Sequence, residues 1–236
     1  MKKTLGIIGG MGPAATCDLM EKIIALTDAH CDQEHIHILT DVNTNIPDRT
    51  AAILHGGADP LPEMAASGRR LAAMGAEFLI MPCNTAHYFY DRLCAELTVP
   101  VLHMPRLTAA VLREAGVKKA GVLATDGTIQ SGIYAEALRA EGIEPVYPKP
   151  EHQKQVMRLI YEGVKARRIP LRDLPVEAIL DDLRAQGAEK FLLACTELPL
   201  AFGELGISAD CLDPTRVLAF SAVRYAGLNT TADSPW

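Results

Sequence analysis

Long apolar runs are missing from this sequence: none approaches the roughly 18 consecutive apolar residues that a membrane-spanning helix requires. A helical membrane protein is thereby excluded, and 49% apolar with 22% charged residues reads as a soluble globular chain. Blocks of lysine and arginine are missing too, and the net charge is −6 with a pI near 5.6. Without a basic patch there is no footprint for nucleic acid or an anionic membrane, so a small molecule is the expected partner. The six cysteines, at 17, 31, 83, 94, 195 and 211, lack CxxC spacing. That argues against both a disulfide framework and a four-ligand zinc site, leaving free thiols in a reducing cytoplasm as the expectation. The opening Met1-Lys2-Lys3 superficially resembles a secretion signal, but Gly9, Gly10, Gly12 and Pro13 break the apolar run after a few residues. The segment reads as a first strand.

What is present is alternation. Short aliphatic runs (TLGIIGG, HIHILTDVN, EFLIMPCN, VPVLHM, KKAGVLATDG, IEPVYP and EKFLLACTEL) are separated by stretches with apolar residues near helical spacing, at 14–29, 61–74, 107–114, 153–166 and 176–186. Strands alternating with helices predict an α/β fold with mostly parallel sheets flanked by helices. At 236 residues the chain can form one large domain or two. A weak internal repeat favours two: GIIGG and GVLAT, LIMPCNT and LLACTEL, and LHMPR and CLDPTR recur in the same order about half a chain apart. The expected lobes are 1–104 plus 214–236 and 105–213, with any hinge near 104–117 and the last helix, at 214–227, packing back on the first lobe.

In open parallel sheets ligands bind beyond the carboxyl ends of the strands. Cys83 and Cys195 both lie there, each after an apolar strand and before a hydroxyl-bearing turn into a helix. A helix N-terminus favours the thiolate, so both thiols are expected below their ordinary value of about 8.5. A single cysteine in such a place is usually a small core residue; two at matched positions in matched halves point to chemistry. Cys17, Cys31, Cys94 and Cys211 lack that context. The backbone N–H groups of Asn84, Thr85 and Ala86, opening the helix after Cys83, form a candidate carboxylate site, to which Thr196 can add a hydroxyl. These residues can equally serve as helix caps. The loop Gly10-Met11-Gly12-Pro13-Ala14-Ala15 fits G-x-G-x-x-A after a strand, which raises a nucleotide-dependent oxidoreductase binding NAD(P) as an alternative. Asp41, the acidic residue at the end of the second strand, stands farther along than the usual spacing of about 20. Pro13 suits a first helical turn, so the loop also reads as a carboxylate cradle without any nucleotide.

GGMGP (9–13), IPDRT (46–50), PCNTAH (82–87) and ACTELP (194–199) resemble, in order and spacing over nearly the whole chain, the aspartate/glutamate racemase superfamily, and within it the aspartate racemase branch. Glutamate racemases share the first cysteine motif but usually have CTH where this chain has Cys195-Thr196-Glu197. The resemblance implies two similar α/β domains with pseudo-twofold symmetry, an active site in the interdomain cleft, no cofactor and commonly a homodimer. It implies that Cys83 and Cys195 exchange the substrate's α-proton. It further implies that Arg49 and Lys165 hold substrate carboxylates, with Met11, Asn84, Thr85, Ala86 and Thr196 around the substrate. Read without the resemblance, Arg49 is equally a solvated loop charge, and Lys165, in EGVKARR, sits on what is usually a solvent face. Asp48, His87 and Glu197 can orient thiols or substrate, or serve structure alone.

Inverting a stereocentre needs a base on one face of the α-carbon and an acid on the other, and two thiols meet that need as a coupled pair. Donors around the α-carboxylate must then stabilise the carbanion. The activity expected is racemisation of aspartate, with glutamate as a further substrate, and racemisation of glutamate or other amino acids as the alternative. A hydrolase or decarboxylase of the same superfamily would keep only one thiol, and a non-catalytic amino-acid-binding protein would need no thiol pair.

Overall fold

All five residues of the first strand, β1 (Leu5–Gly9), are buried, as a parallel strand covered on both faces must be. The structure, a computed structural model, describes residues 2–207 and 210–236. After β1 come α1 (Pro13–Leu26), β2 (Ile38–Val42), α2 (Arg49–Leu54), α3 (Leu61–Ala73), β3 (Phe78–Ile80), α4 (Tyr90–Ala95) and α5 (Met104–Glu114). The second half runs β4 (Lys119–Ala124), α6 (Asp126–Ser131), α7 (Ile133–Ala140), β5 (Glu144–Val146), α8 (Pro150–Arg158), α9 (Val176–Ala185), β6 (Lys190–Ala194), α10 (Glu197–Leu205), β7 (Cys211–Leu212) and α11 (Pro214–Tyr225). No helix among the described residues is long and apolar enough to cross a membrane. The chain divides into two compact units, Met1–Leu107 with Thr215–Trp236, and Thr108–Pro214.

The first unit holds a parallel sheet of order β2-β1-β3, with Leu5 registered on Ile38 to one side and Phe78 to the other. Successive side chains of a strand point to opposite faces. Accordingly Leu5, Ile7, Phe78 and Ile80 meet Leu19 and Ile23 of α1 and Leu218 and Val223 of α11. Ile8, Leu79, Met81 and Cys83 point the other way, against Met64 and Leu71 of α3 and Leu93 of α4. Each buried aliphatic side chain contributes about 1.5–3 kcal/mol, so the stripe on α11 is enough to hold the last helix on the first unit. Pro13 occupies the first turn of α1, where its missing N–H costs no hydrogen bond.

The second unit repeats the plan. Its sheet is parallel throughout, in the order β5-β4-β6-β7. β4, β5 and β6 thus stand to one another as β1, β2 and β3 do. Leu123, Phe191, Leu193 and Cys195 share one face, packed on Val156, Ile160, Leu180 and Leu198. Pro145 is tolerated in β5 because that strand is an edge, where no ladder donor is lost. Two sequence expectations need correction. VPVLHM is not a strand: Val101 makes one parallel bridge to Leu79, since Pro100 has no N–H to donate and α5 starts at Met104. The helix expected over 153–166 begins earlier, at Pro150, and changes to π-helical winding over Leu159–Lys165.

Candidate active site

At the carboxyl end of β1 the chain turns through Gly10, whose φ is +90°. A β-carbon there would stand 2.4 Å from the backbone oxygen of Asn43, so the glycine is demanded by the protein's own backbone. Thr16 of α1 fastens the turn: its hydroxyl accepts from the Gly10 N–H and donates to the Gly12 carbonyl, both at 3.0 Å. Met11 is buried in this loop. The Asp41 carboxylate, which a dinucleotide fold would direct at a ribose, accepts instead from Ser67 Oγ and from Arg70. The nucleotide alternative thus loses its acidic partner.

Asp48 is a helix cap. Its carboxylate accepts from the Ala51 N–H at 2.7 Å at the start of α2. Arg49, the first residue of α2, is buried rather than a solvated charge. Its guanidinium donates to the carbonyls of Pro47 at 2.9 Å and Met11 at 3.3 Å, tying the IPDRT segment to the glycine loop.

Cys83 continues the face of Leu79 and Met81 past the end of β3 and is buried. The α-helix N-terminus expected directly after it from the sequence is absent. Asn84 leads into a 3-10 turn, Thr85–Phe89, and α4 starts only at Tyr90. Asn84, Thr85 and Ala86 are all buried in that turn. His87 anchors it. The Met104 N–H donates to His87 Nε2 at 3.2 Å, so Nδ1 carries the proton and donates to the Cys83 carbonyl at 2.9 Å. His87 therefore positions the Cys83 backbone from the start of α5.

Burial holds the His87 imidazole neutral and lowers its pKa to about 4. A histidine depressed in the folded state leaves the unfolded chain to bind its proton first. The stability this group contributes is therefore full above about pH 6.5 and lost as pH falls from there toward 4. Thermal melts should show stability declining across that window, and imidazole NMR should show the Nδ1–H tautomer unprotonated to about pH 4. A His87 resonance titrating near 6.5 would overturn this account.

Cys195 directly follows β6 and Thr196 opens α10. Here too an expectation fails. The thiol is pushed well above its ordinary value, first by burial and then by the charge and hydrogen bond of Glu197. Cys195 Sγ donates to Glu197 Oε2 at 3.0 Å, the Thr196 hydroxyl donates to the same oxygen at 3.3 Å, and Lys165 Nζ lies 3.6 Å from Oε1. Lys165 ends the π-helical segment, with Nζ 4.9 Å from the centre of the Tyr161 ring. Lys165 is exposed, as its basic surroundings in sequence suggest, but its ammonium is aimed back at Glu197 of α10. Sequence reasoning missed Tyr134, a buried phenol on α7 whose electrostatic neighbours include Cys195 and Asp213. No motif marks it. All six cysteines are free, and among the described residues no group of three or more His, Cys, Asp or Glu side chains could hold a metal.

The chain is similar to racemases, one of them by structure and two by sequence. The Picrophilus torridus aspartate racemase is 33% identical in sequence and superposes with a TM-score of 0.85, covering 97% of this chain and 96% of that one. The broad specificity amino-acid racemase RacX of Bacillus subtilis is 28% identical over 93% of this chain and 96% of its own length. The glutamate racemase of Aquifex aeolicus is 35% identical, but over 56% of this chain and 50% of that enzyme. The family model for Asp/Glu/hydantoin racemases matches residues 8–222, and the chain belongs to that family of isomerases.

Proposed function

We propose that the protein is a cofactor-independent racemase of acidic amino acids, aspartate first, in which Cys83 and Cys195 are the two acid/base groups. The observation that carries this reading is the matched placement of the two thiols. Each is buried at the carboxyl end of the equivalent strand of its own parallel sheet, on the equivalent face. One cysteine, as thiolate, takes the α-proton while the other, as thiol, delivers its own proton to the opposite face of the α-carbon. The carbanion between these steps requires donors at the carboxylate. Arg49, Asn84, Thr85, Ala86, Thr196 and the loop at Met11 are the residues assigned to bind substrate. Lys165 belongs with them, although its ammonium here pairs with Glu197. A homodimer in the cytoplasm completes the proposal.

Aspartate is favoured by Cys195-Thr196-Glu197 in place of the CTH of glutamate racemases, and by the aspartate racemase likeness. The RacX likeness makes broad specificity the second reading. Loss of optical activity from L-aspartate, L-glutamate and a neutral L-amino acid, each followed separately without added cofactor, decides between them. Aspartate alone, or aspartate fastest, is expected; no change with any of the three would refute the proposal.

Arg49→Ala should raise KM for aspartate about 10- to 100-fold, because a charge-assisted hydrogen bond to a carboxylate contributes about 1.5–3 kcal/mol. Neutral substrates should suffer less, and Arg49→Lys should not fully restore the fork geometry. An unchanged KM with a lowered melting temperature would reduce Arg49 to a brace between the two loops.

A further inference from the structure

The two cysteine loops differ in one chemically decisive place: the second residue after Cys83 is Thr85, whereas the second after Cys195 is Glu197. A buried carboxylate thus accompanies the second thiol in sequence, and the structure brings it into contact. Glu197 is at the first position of α10, where the helix dipole favours an anion. Its carboxylate accepts from Cys195 Sγ at 3.0 Å and Thr196 Oγ1 at 3.3 Å on one oxygen and faces the Lys165 ammonium at 3.6 Å on the other. Every partner is a donor or a cation, which is the set an ionised carboxylate requires. The Cys195 contact exists only while the sulfur carries its proton. A thiolate at the same distance would put two anions together in a buried site.

We propose that Glu197 is a positioning residue that keeps Cys195 as the protonated member of the pair, leaving Cys83 as the base of the resting enzyme, with Lys165 as the counter-ion of Glu197. This rests on the assignment of both cysteines to proton transfer made above. Lys165 is set for the role by the π-helical segment, in which Gly163 lies so close to Leu171 that a β-carbon would stand 2.6 Å from Cδ2. The charged and titratable groups around Cys195 are Glu197 on α10, Lys165 on the π-helical segment and Tyr134 on α7, with Asp213 facing Tyr134 from the end of β7. Tyr134 is held neutral by its burial, so beyond the burial of the thiol itself, which raises it most, Glu197 and Lys165 are the charges that act on it, the first raising and the second lowering it.

Protons balance over the cycle. The Cys83 thiolate takes the α-proton and the Cys195 thiol gives up its own, so the enzyme is left with a Cys83 thiol and a Cys195 thiolate beside Glu197. After product leaves, one proton passes from Cys83 to solvent and one from solvent to Cys195, restoring the resting form.

The test uses the full-length enzyme and its Glu197→Gln, Glu197→Asp and Lys165→Met variants. The rate of iodoacetamide alkylation at each cysteine, located by mass spectrometry, is followed against pH beside the pH profile of kcat/KM. In the native enzyme Cys83 should react at lower pH than Cys195. Glu197→Gln should move the Cys195 profile and the alkaline limb of kcat/KM down by about one pH unit or more, leaving the Cys83 profile in place. Glu197→Asp should restore part of the shift. Lys165→Met, which leaves the carboxylate uncompensated, should move Cys195 upward and serves if the glutamine variant does not fold. Cys195 reacting at or below the pH of Cys83 in the native enzyme, or a Cys195 profile indifferent to these changes, would overturn the proposal. Alkylation needs no turnover, so that result is distinct from failure of the racemase reading, which retained activity in Cys83→Ala and Cys195→Ala would reveal.

Discussion

Replacing either Cys83 or Cys195 by alanine should lower the rate of racemisation by at least about 10³-fold, the scale on which a positioned acid or base contributes. Each substitution removes the only group assigned to one face of the α-carbon, so the partner thiol cannot compensate. The loss should appear in kcat rather than in KM, because neither thiol is assigned a role in holding the carboxylates. In heavy water the native enzyme should introduce one solvent deuterium at the α-carbon each time the configuration inverts. A single-alanine variant keeps one base, which can remove and return a proton on its own face. It should therefore exchange the α-hydrogen of one enantiomer without inverting it, and Cys83→Ala and Cys195→Ala should select opposite enantiomers. Cys17, exposed on α1, and Cys94, on α4, supply the controls: alanine at either should leave kcat within about twofold, since neither lies at the end of a strand. Near-native racemisation in Cys83→Ala or in Cys195→Ala would end the two-base mechanism.

The second large effect is expected at Gly10. Its φ of +90° suits glycine alone, and a β-carbon would meet the oxygen, carbon and nitrogen of Asn43 at 2.4, 2.5 and 2.7 Å. These are backbone atoms, so no side-chain rotation relieves the crowding, and the ends of β1 and β2 would have to separate. Gly10→Ala should cost about 3 kcal/mol or more, from backbone strain and overpacking together. For a chain of this size that corresponds to a fall in Tm of roughly 6–12 °C. Activity should fall further than stability explains, by about 100-fold or more in kcat/KM, because displacing Met11 withdraws the carbonyl that Arg49 holds at 3.3 Å. Gly75→Ala separates the two causes: its φ is +104°, but nothing stands within 4 Å of the added carbon. It should show the conformational cost without the collision and keep full activity. Equal destabilisation in the two variants would mean that crowding by Asn43 is not what requires glycine at position 10.

Much of this architecture was determined by the sequence itself. Alternation at a period of two places Leu79 on one face of β3 and Phe191 and Leu193 on the corresponding face of β6, with Cys195 next in that alternation. Cys83 joins the matched face through a tight turn past the end of β3, where its N–H donates to the Met81 carbonyl. The repeat of strands and helices, the glycine turn after β1 and the four motifs are likewise local properties of the chain. Tertiary structure decided the rest, because each remaining feature depends on partners distant in sequence. Arg49 reads as a loop charge until the fold brings the Met11 carbonyl, 38 residues away, to its guanidinium. His87 takes its tautomer from the Met104 N–H, 17 residues on. Lys165 looks like part of a basic helix surface, yet π-helical winding turns it toward Glu197, for which no sequence period is a signal. The protonation of Cys195 lies furthest from the sequence. A strand end followed by a helix predicts a lowered thiol, whereas burial, which exists only once the chain is folded, raises it first. The Glu197 carboxylate, two residues along in the sequence, raises it further once the fold turns it onto the sulfur.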